Sequence, residues 1–135
     1  MMKLDHILLD KCWGGSELPN LLGCPDVKGN IGEAHMLCGV HFKPYLPVFV
    51  KYLDADKPLS VQVHPRKFEV WYILEATPNA TLWIDFQNKV SHQEIERSAV
   101  DGSILDLMQS YRAKQGEIYV VPPGVAHCLG GGILA

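Results

Sequence analysis

Leu59-Ser60-Val61-Gln62-Val63-His64-Pro65 is the stretch on which the fold and chemistry of this chain turn. Its apolar and β-branched residues predict a strand over Leu59–His64, and alternate side chains of a strand share a face. Gln62 and His64 therefore aim at one interior spot. Pro65-Arg66-Lys67-Phe68 reads as a turn that delivers Glu69 to a neighbouring strand facing the same spot. Far downstream, Gly116-x5-Pro122-Pro123-Gly124-Val125-Ala126-His127 bends the chain so that His127 turns inward. Two imidazole nitrogens, a carboxylate and an amide oxygen suit a divalent transition metal.

Around this segment the sequence predicts further short strands at Val48–Leu53, Glu69–Leu74, Thr81–Phe86 and Gly116–Val121. Turn residues separate them, which indicates a barrel or sandwich rather than alternating strands and helices. Gly and Pro punctuate residues 1–47 so often that this part reads as short strands and loops. Ser91 to Tyr111 is the one helical stretch: Ser91 and Glu94 make a capping box, and Ile104, Leu105, Leu107 and Met108 an apolar face. Asp101-Gly102-Ser103 divides it into two short helices. No repeat, low-complexity tract or linker breaks residues 1–135, so the expectation is a single all-β domain with a short helical segment.

Composition narrows the function. The chain has 135 residues, is 47% hydrophobic and 20% charged, and carries a formal net charge of -3. That size buries a real core. The negative balance, with no dense Lys/Arg run, excludes a nucleic-acid partner. No apolar run of about 18 residues exists to span a membrane. Met1-Met2-Lys3-Leu4-Asp5-His6 lacks the apolar run of a signal peptide. Cys12, Cys24, Cys38 and Cys128 show no Cys-x-x-Cys spacing. They are expected as reduced, mostly buried thiols of a cytoplasmic protein. His6, His41 and His92 read as surface or loop residues, Cys128 as a small apolar filler, and Trp13 and Trp71 as core or wall. There is no nucleophile elbow, P-loop or dinucleotide fingerprint.

The downstream segment fits the second cupin motif, and the upstream one the first, with Gln62 replacing its first histidine and without the usual flanking glycines. Either segment alone fits a barrel whose histidine is simply a hydrogen-bonded core residue; together they point to a metal. One carboxylate and three neutral ligands leave a divalent cation net positive, able to polarise a hydroxyl or carbonyl oxygen. Zinc suits such Lewis-acid work, and Mn, Fe, Co and Ni are also allowed by ligand type.

The chain resembles the type I mannose-6-phosphate isomerases, zinc-dependent cupins. Trp13-Gly14-Gly15, Ile31-Gly32-Glu33, the run from Pro47 to Ala55 into Leu59–Pro65, Lys67–Leu74 and Val121–His127 carry the likeness in order. The resemblance implies a cupin (jelly-roll-like) β-barrel with zinc held by Gln62, His64, Glu69 and His127. It makes Lys67 an active-site lysine and places Glu33, Lys51 and Ser60 around a sugar-phosphate substrate. The implied reaction interconverts mannose 6-phosphate and fructose 6-phosphate; the general base is left unnamed. His35 stands where family members usually carry Trp. The family continues after Gly-x-Leu-Ala with a strand bearing a glutamate and a Thr-Tyr-Arg stretch whose arginine serves catalysis, whereas this sequence stops at Ala135. A fragment, a naturally reduced homologue and a non-catalytic metal- or sugar-phosphate-binding cupin are all compatible with that. Ile133-Leu134 is expected to leave an exposed strand edge, a route to a homo-oligomer.

Overall fold

Residues 5–37 and 49–135 are described by the structure, a computed structural model. Strand β1 (Asp5–Gly15) leads through a short helix, α1 (Glu17–Leu21), to β2 (Ile31–Leu37) and β3 (Lys51–Ala55). Next come β4 (Gln62–Val63), β5 (Glu69–Tyr72), β6 (Glu75–Ala76) and β7 (Thr81–Phe86). Helix α2 (His92–Asp101) and a 3-10 turn at Ile104–Leu107 precede β8 (Met108–Arg112), β9 (Ile118–Val121), β10 (Ala126–Leu129) and β11 (Ile133–Leu134). The strands pair antiparallel in the orders β1-β2-β3-β11-β6 and β4-β10-β7-β8, with β5 and β9 forming a separate ribbon.

Alternation along the strands sets the core. Leu53, Ala55 and Ile133 of the first sheet meet Leu82 and Leu129 of the second and Trp71 and Val121 of the ribbon. Burying each large aliphatic side chain stabilises by roughly 1.5–3 kcal/mol, which closes the barrel. The opposite face of the first sheet is covered by α1: Leu18 packs with Ile31, Ala34 and Leu134. Asp54 anchors that helix by accepting the Glu17 N–H at 2.7 Å. At Gly32 a side chain would run into Trp13 and Lys11, so this glycine makes room for two inward-pointing residues of β1.

Thr81–Phe86 forms the strand its alternation predicts, and Ser91 caps α2 with the full capping box. Gly102 ends α2 at φ 82, a left-handed conformation cheap only for glycine. Other expectations need correction. Met108–Arg112 is strand, because pairing with β7 outweighs the helical pattern of its apolar residues. The strand expected over Leu59–His64 shrinks to Gln62–Val63, although Leu59 N–H still donates to Leu129 O at 2.9 Å. The glycine-rich start holds the long β1 rather than only short strands. The strand expected over Val48–Leu53 begins at Lys51 and runs to Ala55; Val48, Cys38 and His41 lie outside the described residues.

Of Cys12, Cys24 and Cys128, only Cys128 is buried. Ile133-Leu134 is not an edge: β11 is bonded to β3 on one side and β6 on the other, and both residues are buried. No described helix is long and apolar enough to cross a membrane.

Candidate metal centre

His127 is the best-held side chain of the predicted set. β10 lies between β4 and β7, and the ring is only 4% exposed. Nδ1 lies 2.9 Å from Val125 O, so it carries the hydrogen, and the Nε2 lone pair faces the interior. That Nε2 is buried and has no hydrogen-bond partner among the described residues. Such an orphan is rare in a folded protein and marks a site built for something else.

Glu69 stands at the start of β5, with Oε1 3.3 Å from His64 Nε2 and Oε2 3.7 Å from His127 Nε2. One ligand atom from each of the three residues lies within 4.8 Å of the others. Tetrahedral bonds of 2.0–2.1 Å would set ligand atoms roughly 3.3 Å apart, so a small divalent ion fits with little adjustment. Burial alone would raise the Glu69 carboxyl pKa, but the Lys67 ammonium bonded to it and the two imidazoles hold it below the ordinary value. For His64, burial is the first cause of a lowered pKa; the Glu69 charge works against it, and Lys67, His127 and Lys51 assist. At His64 burial thus outweighs the neighbouring carboxylate and favours the uncharged ring. The site presents two imidazole nitrogens and one carboxylate, a donor set that suits a divalent transition metal.

Gln62 joins by register: it is paired directly with His127 across β4 and β10, so both side chains leave the same face. Gln62 Nε2 donates to Ser60 Oγ at 3.2 Å, which turns the amide oxygen the other way. Lys67 bonds Glu69 Oε1 from the turn that precedes β5. Glu69 does not reach the site from a strand paired to β4, as the turn reading implied. It comes from the β5–β9 ribbon.

Trp71, expected as core or wall, does more. Its Nε1–H donates to Glu69 Oε2 at 3.1 Å, while its ring packs edge-on to His127 with centroids 5.6 Å apart. The signal was present: Trp71 is two residues beyond Glu69 on one strand, hence on the same face.

Glu33, His35 and Lys51 form the facing wall. Glu33 is opposite Leu53 and His35 opposite Lys51 in the β2–β3 register, so all share the inward face of the core residue Leu53. Burial disfavours the Glu33 carboxylate, but the His35 bond and the charges of Lys51 and Lys11 outweigh it and hold the pKa below the ordinary value. Ser60 is exposed and, among the described residues, touches the site only through Gln62. Cys128 points away from the site, its thiol bonded to Leu59 O at 3.0 Å and its pKa pushed up by burial to about 11. A separate cavity of about 570 Å³, lined by Gly15, Asp54, Glu75 and Thr77, includes none of these residues.

Comparison with known proteins supports the same picture. No protein-family model matches the chain. The mannose-6-phosphate isomerase ManA of Bacillus subtilis (strain 168) is 34% identical over 102 residues, covering 66% of this chain and 32% of that protein. The mannose-6-phosphate isomerase of Streptococcus mutans serotype c is 32% identical over 114 residues, covering 76% of this chain and 36% of its own length. A crystal structure of the Bacillus subtilis mannose 6-phosphate isomerase superposes with a TM-score of 0.77 at 22% identity, over 97% of this chain and 55% of that one. The chain thus spans about a third of the length of these curated relatives. Barrel and site define an all-β cupin with a His/Glu/His group in its interior. Within the cupins, the chain is a homologue of the type I mannose-6-phosphate isomerases.

Proposed function

We propose that this chain is a zinc-dependent aldose–ketose isomerase that interconverts mannose 6-phosphate and fructose 6-phosphate. The observation that carries this reading is the convergence of His64, Glu69 and His127 around a buried imidazole nitrogen that no group among the described residues satisfies. The names of the relatives supply the substrate class. His64, Glu69 and His127 would hold the ion, with Gln62 the fourth ligand. When bound, the ion supplies a positive charge that polarises a sugar hydroxyl or carbonyl oxygen.

The rest is the work of side chains. Trp71 and Lys67 fix the Glu69 carboxylate from two directions. Lys67, 46% exposed, also presents an ammonium to the charge that develops on the sugar oxygens. Glu33 and Lys51 line the opposite wall and bind the substrate, and Ser60 contributes a hydroxyl beside Gln62. A second reading is a metal- or sugar-phosphate-binding cupin without turnover, which the same His64, Glu69 and His127 group with Lys67 beside it supports.

A coupled assay with the zinc-loaded chain separates the two. Interconversion of the sugar phosphates, lost with chelator and restored by zinc, is the expected result. Calorimetric binding of mannose 6-phosphate by a folded, zinc-loaded chain with no turnover would establish the second reading instead.

A further inference from the structure

The inner face of β2 carries a pair of residues whose chemistry goes beyond substrate binding. His35 Nε2 lies 2.6 Å from Glu33 Oε2, and the other carboxylate oxygen stands between Lys51 at 3.7 Å and Lys11 at 3.8 Å. Glu33 is 13% exposed and His35 29%, so the pair is sheltered yet reachable. The edge of one ring against the face of the other fixes His35 beside Phe49, with centroids 5.0 Å apart.

The bonding decides which atom carries which proton. A carboxylate flanked by two ammonium groups stays ionised and can only accept hydrogen bonds. Nε2 of His35 must then be the donor, which leaves the lone pair of a neutral ring on Nδ1. This is the arrangement in which a carboxylate orients an imidazole as a base and stabilises the imidazolium that forms. The two lysines explain why Glu33 itself does not take the proton. The wall also borders the candidate metal centre: Leu53, which lies opposite Glu33 on this face, packs in one cluster with Trp71, and Trp71 touches both Glu69 and His127.

We propose that His35, oriented by Glu33, carries the proton between C2 and C1 of the bound sugar phosphate. The proposal rests on the isomerase reading above. In the forward direction Nδ1 takes the C2 proton; the C2–H electron pair becomes the C1=C2 bond, and the C1=O π pair moves onto O1. The imidazolium then returns the proton to C1, the C=C pair forming the new C1–H bond. An O2 lone pair closes the C2=O bond as the O2 proton passes to O1. Nothing is oxidised by an outside agent, and the ring ends as it began.

The test is His35→Gln in the zinc-loaded full chain, because glutamine can still donate to Glu33 but cannot take a proton. Loss of a general base lowers kcat roughly 10²–10⁴-fold, with KM changed by less than about threefold. Exchange of the C2 hydrogen with D2O falls in parallel. A kcat loss of about tenfold or less in a folded variant overturns the proposal and leaves the isomerase reading intact. Wild-type protein that neither turns over nor exchanges defeats the isomerase reading, and the proposal with it. Should His35→Gln fail to fold, the ring ¹⁵N signals of wild-type His35 decide, with sorbitol 6-phosphate as an unreactive probe. Displaced signals support the proposal and unmoved ones overturn it.

Discussion

Replacing His127 with leucine separates the cost of the unsatisfied nitrogen from its use. In metal-free protein, buried Nε2 has no partner among the described residues, which costs about 1–3 kcal/mol. Leucine removes that penalty and also removes the Nδ1 bond to Val125 O, worth about 1 kcal/mol. The balance lies between no change and about 2 kcal/mol of added stability, for a substitution at a 4% exposed core position that would ordinarily be damaging. Zinc at a hundredfold excess over its Kd should stabilise the wild type by about 2.7 kcal/mol, a rise in Tm on the order of 10 °C. In His127→Leu that rise should vanish. Thermal unfolding followed by circular dichroism, with chelator and then with zinc, reads both quantities. A variant destabilised by more than about 3 kcal/mol in chelator, or one that keeps the zinc-dependent rise, would refute the reasoning.

Trp71→Phe keeps an aromatic ring beside His127 but deletes the donor to Glu69 Oε2. Removing the support of a ligating carboxylate lowers metal affinity about 10–100-fold, measurable by competition with a chromophoric chelator; equal affinity would make Trp71 a wall and nothing more. Glu33 sets a pH dependence. Its folded pKa lies below the ordinary value, so its contribution to stability is present above about pH 4.3, the unfolded glutamate value. It is lost as pH falls through the lower folded value. Urea midpoints should therefore fall less steeply with acid in Glu33→Gln than in wild type, and parallel curves would count against the cluster.

The convergence of Gln62, His64, Glu69 and His127 was legible because two separate motifs turn their side chains inward, although Glu69 arrives from the β5–β9 ribbon rather than from a strand beside β4. Gln62 and His127 meet as a cross-strand pair, and the downstream glycine and proline pattern already required His127 to turn inward. Strand boundaries were harder. Met108-Gln109-Ser110-Tyr111 reads equally well as the end of a helix, and only the β7 ladder decides for strand. Nothing local marks the β5–β9 ribbon as separate from β4. Trp71 and His35 were visible as residues two positions beyond a key glutamate, yet an aromatic or a histidine in a strand is ordinarily packing. Their hydrogen bonds, to Glu69 and Glu33, give them other roles.

The position of β11 bears on how the barrel is made. Ile133-Leu134 fills the gap between β3 and β6, segments synthesised much earlier. On the ribosome those two segments must wait, their facing amides and carbonyls hydrated, until residues 133 and 134 leave the exit tunnel. Closure of such distant partners is slow, and the waiting edges invite wrong pairings between nascent chains. Yield on expression should therefore respond to chaperone supply and growth temperature more than to thermodynamic stability.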